Sequence, residues 1–539
     1  MKLRHLTFLA FLSVAQLLPA QKTADTTGRE QIEILHADRL ILDEKYPGLK
    51  LLTGNVHLKH KESVLTSDKA LVDLQANFAE AIDNVRLIHA DSLTVTAGIL
   101  RYDGNREFAV ALDQVHMQDP AMNLDTDTLF YDIRNQLAYY TGGGIIRDSA
   151  NTLQSRSGKY IVKENSYEFT GNVHLDNPEY RIESVRLDYN TADKTARFFG
   201  PTLITSSDGG RIYAEKGFYD TRNDIAWFVH NIFMESGASA LQADSVYMDK
   251  TRAFYSASGN VRMRDSVNRS LILAGYAEQW RERDSVFLSD SPVIVNYEPG
   301  NDTLYIRADK MYVRQTRGKR EFFASPGVMF LQGNFSGRAD SLYRSEEKKR
   351  IELWKNPVIW TEDAQITGKK IIILYDSTGT RPDSLIIPGD VFIIQRDSAG
   401  FNQIKGNILK GKFIEGKLRH IEITGNTEMI YHVRDEKNQP VGIDKSICSK
   451  LELYLSPEGK TEKVVLREQP QGTTYPPDRF PRELSKLPGF LLMDDLKITS
   501  PAELLQSRNP VFRRPRMPNM NRPPLPKKFK ISKKLLRGI

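Results

Sequence analysis

Five histidines, His57, His89, His116, His174 and His230, recur at related places along the chain. A repeated rung of imidazoles is an arrangement that binds metal when carboxylates or thiolates accompany it. Carboxylates at metal spacing are missing here, so the histidines read as solvent-facing strand residues and no metal site is expected. Asp68, Asp244, Asp309 and Asp340 form a second recurring set. Paired acids in one cleft hydrolyse glycosidic bonds, but these four lie in distant segments, where Asp is expected to cap local backbone. Gly142-Gly143-Gly144 lacks the Lys-Ser/Thr of a phosphate loop and reads as a turn or bulge. Tyr131, Tyr189, Tyr219 and Tyr247 suit an aromatic ladder of cross-strand packing. The single cysteine, Cys448, excludes an intramolecular disulfide and a thiolate zinc cluster. No catalytic residue and no cofactor is expected, and the chain does not read as an enzyme.

What recurs with these residues is the chain itself. A turn followed by an apolar residue falls at Val56, Val85, Val115, Ile145, Val173, Thr202, Ile232 and Val261, at intervals of 28 to 30 residues. Gly54-Asn55, Asp83-Asn84, Gly171-Asn172, His230-Asn231 and Gly259-Asn260 precede five of these anchors. The series continues less regularly at Val293, Val328, Val358 and Val391. A second anchor falls halfway through each unit, as in Ala243-Asp244-Ser245-Val246-Tyr247-Met248-Asp249 and Ala339-Asp340-Ser341-Leu342-Tyr343. Two interleaved anchors at one period are the mark of a repeat array. Val56-His57-Leu58-Lys59 and Val173-His174-Leu175-Asp176 alternate apolar and polar residues, the period of a half-buried strand. Asn and Gly ahead of them tolerate the left-handed backbone of tight turns. The expected fold is all-β, an elongated array of about 30-residue units; at about 4.8 Å per strand layer, fourteen two-layer units would make a rod of roughly 130 Å.

The ends differ from the middle. Lys2 and Arg4 precede an apolar stretch from Leu6 to Leu18, and Leu18-Pro19-Ala20 ends it, so residues 1–20 read as a secretory signal peptide. Residues 508–539 hold eleven Lys and Arg and no acid, so the net +7 of the chain less this +11 leaves −4 for residues 1–507. Six prolines bar helix or strand over most of that segment. It reads as a disordered basic arm in which Arg513, Arg514, Arg516, Arg522, Lys527, Lys528, Lys530, Lys533 and Lys534 attract an anionic partner. Exported chains rarely meet nucleic acid and aromatics are sparse in the arm, so nucleic acid is set aside. Before it, residues 456–507 read as a linker, with a short helix near 500–506 signalled by the capping pattern Ser500-Pro501-Ala502-Glu503.

The recurring Ala-Asp-x-apolar-Tyr-Asp followed by Gly-Asn-Val-x-Leu resembles the OstA-like (organic-solvent-tolerance) family. The copies that carry the resemblance are His36-Ala37-Asp38-Arg39-Leu40 leading to Gly54-Asn55-Val56-His57-Leu58, and Ser184-Val185-Arg186-Leu187-Asp188-Tyr189 after Gly171-Asn172-Val173-His174-Leu175. The likeness covers residues 32–300 well, the regular β-repeat region, and residues 301–455 loosely, the divergent one. It implies an open β-jelly-roll, two sheets folded like a taco around a groove for acyl chains. It implies a periplasmic protein, associated with the outer membrane, that carries lipopolysaccharide and docks by strand edges to OstA-fold domains of inner- and outer-membrane transport components, with self-association as a further outcome. The chain has far more units than the short bridge members of that family and lacks the barrel sequence of the long ones.

Groove residues expected from that likeness and from the strand pattern are the paired positions after each turn: Val56 and Leu58, Val85 and Leu87, Val115 and Met117, Val173 and Leu175, Ile232 and Met234, Val261 and Met263. Burying one methylene is worth about 0.8 kcal/mol, enough in sum to hold the acyl chains of lipid A without any catalytic group. Two competing expectations are a carbohydrate-active β-helix enzyme and a spacer of the cell envelope whose core is dry.

Overall fold

The computed structural model describes residues 30–42, 48–90, 93–120, 122–297, 302–379, 381–435, 437, 439–506 and 508–523. The signal peptide expected at residues 1–20 lies outside the described residues, as do Lys527, Lys528, Lys530, Lys533 and Lys534. The described chain is all-β, with strands from Glu33–His36 to Gln471–Tyr475. It divides into two units, one built on residues up to Gly237 with Ser245–Thr251 and the segment from Arg514, the other on Ala238–Asp244 and Arg252–Arg513.

In the first unit, Leu49–His60, Ser63–Asp73, Phe78–His89, Leu93–Asp103, Phe108–Gln118 and Asn123–Asp132 form an antiparallel meander, each strand paired with the next. Two strands make one 30-residue repeat. At mid-strand the ladder slips: between Thr53 and Val56 one strand spends two residues where its partner spends one. The two residues are Gly54 and Asn55, both left-handed at φ +75° and +45°. This is a β-bulge, and it bends the strand. Gly259 and Asn260, at φ +71° and +47°, do the same in the second unit. The repeated turn chemistry therefore marks corners inside long strands, with both halves of each strand in ladder.

The second sequence anchor locks the first. Asn55 Nδ2 donates to Asp38 Oδ2 (3.1 Å), Asn84 Nδ2 to Asp68 Oδ2 (2.8 Å), Asn231 Nδ2 to Glu215 Oε1 (2.6 Å) and Asn260 Nδ2 to Asp244 Oδ2 (2.8 Å). Of the acids expected to cap local backbone, Asp68 and Asp244 thus bond across strands to a corner asparagine, whereas Asp340 pairs with Lys355 and Ser341.

Each bent strand contributes to two walls. Past the corner, side chains alternate between a face turned to the opposite wall and a face turned away. In the second unit the array continues through paired half-strands and closes with the long strands Pro382–Asp397, Gly400–Ile414, Lys417–Arg434 and Pro440–Leu455. Thr461–Arg467 and Gln471–Tyr475 still pair with Pro440–Leu455, one on each half of it. The linker expected over 456–507 therefore starts later, because residues 461–475 complete the sheet. The expected helix forms at Pro501–Leu505, with the reciprocal Ser500–Glu503 capping box.

Residues 508–523 have no helix or strand, as their prolines dictate, yet they are not a free arm. In the second unit, Arg262 Nε donates to Asn509 O (2.6 Å) and the Arg264 guanidinium lies 5.0 Å from the Phe512 ring centroid. In the first unit, Arg514 pairs with Glu235 (2.9 Å), Arg522 with Asp176 (2.6 Å), and Gln154 Nε2 donates to Pro523 O (2.6 Å). Arg514 and Arg522 spend their charge on this chain's own acids; Arg513 and Arg516 are exposed.

Candidate functional site

The space between the walls is the one feature that every repeat shares. In the first unit Val56, Leu58, Val85, Leu87, Val115, Met117, Val173, Leu175 and Ile232 are all buried, and Met234 is partly buried. In the second unit Val261 is buried and Met263 partly so. Leu58 and Leu87 take the face turned to the opposite wall. Leu58, Leu65 and Leu87 of one wall and Ala79 and Tyr102 of the other line a single small cavity, so the walls meet there.

Polar contacts lace the first rungs shut. His60 Nδ1 and Tyr102 Oη, on opposite walls, are 2.6 Å apart. The peptide entering the first strand joins them: His60 Nε2 lies 3.1 Å from Glu30 O, Asn77 Nδ2 donates to Glu30 O, and Ile32 N donates to Asn77 Oδ1 (2.9 Å). Burial, with Glu107 and Asp103 nearby, pushes the Tyr102 phenol well up, so it stays protonated. Further along, Tyr140 spans the interior and its hydroxyl meets Ser155 Oγ at 2.7 Å. A Cβ on Gly144 or on Gly158 would lie 2.5 Å from that ring, so glycine is required on both sides of it.

Beside its last strands the second unit carries an open, polar cleft lined by Asn402, Tyr431, His432, Arg434, Asp444 and Lys463, among others. Arg434 holds Asp397 through both carboxylate oxygens (2.9 and 2.6 Å), which keeps that carboxyl below its ordinary range. Burial lowers His432, whose backbone N–H donates to Asn402 Oδ1 (2.8 Å).

The histidines divide. His57 is exposed, as expected, but His174 is only 3% exposed. It shares the outward face with Gln154 and Glu183 and lies under residues 520–523, which is why the alternating pattern misplaced it in solvent. Glu183 Oε1 is 3.6 Å from Nδ1, the Met520 backbone lies against the ring, and burial lowers its pKa. Of the four tyrosines, Tyr189 and Tyr219 are buried, and burial holds Tyr189 up at about 12. Cys448 is buried too, which raises its thiol. No cluster of three metal-binding side chains occurs among the described residues, and no described helix is long and apolar enough to cross a membrane.

Sequence reasoning missed the outward face of the second unit. Leu271, Leu273, Val293 and Val295 are buried there against Leu505 and Phe512. Phe392, Ile394, Ile430 and Ile443 are buried against Leu487, Phe480 and Phe490. The signal was present: Val391-Phe392-Ile393-Ile394 and Val358-Ile359-Trp360 are unbroken apolar runs, which in strands mean burial on both faces.

Comparison with known proteins adds three findings. No curated protein matches the chain. The crystal structure of LptH, described as the LptA-homologous periplasmic component of the conserved lipopolysaccharide transport device from Pseudomonas aeruginosa, is similar at 16% identity over 20% of this chain and 81% of its own, with a TM-score of 0.19. The sequence pattern of the OstA-like protein family matches residues 29–185, the stretch that contains the corner repeats and the laced first rungs. Over that stretch, the chain is similar to the OstA-like family.

Proposed function

We propose that this chain is a periplasmic lipid-transport protein that takes acyl chains of a glycolipid of the lipopolysaccharide class between its two walls and helps deliver it toward the outer membrane. The observation that carries this reading is the OstA-like match over residues 29–185, the stretch in which one apolar pair per repeat is buried. Near-uniform lining gives a lipid no preferred resting place, which suits passage along the array. Because Val56, Leu58, Val173 and Leu175 are at most 2% exposed, the walls must part to admit a chain. The partly exposed Met234 and Met263 are the first lining residues a lipid can reach. Strand edges supply the docking surface for like-folded partners: Glu33–His36 and Arg39–Leu42 pair only with Leu49–His60 among the described residues, and Leu35, Leu40 and Leu42 are exposed.

Photo-crosslinking in cells tests this. Probes at Leu58, Leu175 and Met263 are expected to capture lipopolysaccharide, and probes at the outward, exposed His57 and Arg86 are not. Equal labelling of both sets would refute it. One observation favours a second reading, a spacer with a dry core: the first rungs are packed shut and laced by His60 and Tyr102. Native mass spectrometry of protein purified without detergent separates the two, since a spacer carries no lipid.

A further inference from the structure

We propose that the outward face of the second unit is a binding track for extended peptide, read through the peptide backbone and filled in the resting chain by its own residues 480–513. Three glutamines carry the inference. Gln403 donates from Nε2 to Ser485 O and accepts at Oε1 from Leu487 N, both at 2.8 Å. Gln365 does the same with Leu491 O and Met493 N, again both at 2.8 Å. Gln242 donates to Arg513 O and accepts from Arg513 N. Each side-chain amide stands in for one peptide group of a neighbouring strand, satisfying both a carbonyl and an N–H of the segment that lies over it.

Such a clamp does not depend on the side chain it passes over, so sequence preference must come from the apolar sockets between the clamps. Leu487 enters one, against Ile394, Ile430 and Ile443, and Leu504 enters another, with Leu331 and Ile498. Gln365 and Gln403 are 3% and 1% exposed, with Trp360, Ile394 and Ile430 as their cross-strand neighbours, and an unpaired amide buried there would cost about 1–3 kcal/mol. They are expensive as packing and cheap as ligands for backbone. The segment they hold also fits the part of a ligand more than of a domain. From Gln469 to Pro523 it holds ten prolines, and its described residues form one α-helix of five residues, three single-turn 3-10 helices and one strand, Gln471–Tyr475, which precedes the track. The interior trough plays no part in this inference, which stands whether or not lipid is carried.

The test keeps the folded full-length chain. A protease site placed between Pro476 and Phe480 is cut after folding, so the segment stays on the body without a covalent tie. The cut fragment is expected to co-elute with the body on size exclusion. It should exchange over hours with an excess of labelled synthetic peptide of residues 480–513. A Gln365→Ala/Gln403→Ala protein should release it at least tenfold faster. Loss of the fragment on cutting, no exchange over days, or a release rate unchanged by the double substitution would each overturn the proposal. So would equal exchange with a scrambled peptide of the same composition. If the double variant does not fold, hydrogen exchange of the Leu487 and Met493 amides in the single variants decides: each must speed up at its own clamp only, and uniform or absent change refutes the track.

Discussion

Val56-His57-Leu58-Lys59 and Val391-Phe392-Ile393-Ile394 hold the same place in their rungs, directly after a left-handed pair at the corner. In the first, Val56 and Leu58 are buried between the walls while His57 and Lys59 face water. In the second, all four residues are buried, because Leu487 and Phe490 roof Phe392 and Ile394. One backbone device therefore serves two kinds of wall. Where the outward face is polar the wall stands alone. Where it is apolar the chain must supply a cover, and it draws that cover from its own C-terminal segment.

The comparison breaks most readily at the cover. Leu487, Ile498 and Leu504 are each at most 2% exposed, and full burial of such side chains is worth about 1.5–3 kcal/mol each. Ending the chain after Tyr475 therefore forfeits on the order of 5–9 kcal/mol, against a typical domain stability of about 5–15 kcal/mol. The expected result in calorimetry is loss or steep lowering of the transition of the second unit, with dye binding to the bared face, and a smaller change in the first unit. Two unaltered transitions would show that the face needs no roof.

Single substitutions sharpen the contrast. Ile394→Ala and Leu487→Ala are expected to cost about 2–5 kcal/mol each in urea unfolding. The matching outward change in the polar wall, Lys59→Ala, should stay within about 0.5 kcal/mol. Similar costs at the two sites would erase the distinction between the walls.

The smallest effect is one of pH. Burial sets His174 below its ordinary value of 6.5, and the charged groups around it are Glu183, Asp176 and Arg522. Well above that value the ring is neutral whether residues 520–523 are docked or released, and it favours neither. As pH falls through 6.5 the released form takes up a proton that the docked form resists, so docking weakens. Arg522 adds to this and Glu183 and Asp176 oppose it. Faster hydrogen exchange at Asn521 and Arg522 at pH 5.5 than at pH 7.5, after correction for intrinsic rates and absent in His174→Gln, is the expected outcome; no difference would remove His174 from the account.

Much of this architecture is legible in the sequence. The 30-residue period, the strand alternation and the left-handed tolerance of Gly-Asn are local properties, so residues such as Gly54-Asn55 and Gly259-Asn260 announce their corners directly. The inward pairs followed from the same alternation. The acids of the second anchor were visible, but their partners were not, because Asp244 and Asn260 are sixteen residues apart and meet only through strand pairing.

The C-terminal segment shows where such reading ends. Proline and positive charge decide correctly that residues 508–523 form neither helix nor strand. They say nothing of where an extended chain lies. That was set by surfaces far from it in sequence, the apolar columns of Leu271 and Val293 under Phe512 and the acids Glu235 and Asp176 that pair with Arg514 and Arg522. Periodicity is written into each segment by itself; burial belongs to pairs of segments, and only the folded chain brings the members of each pair together.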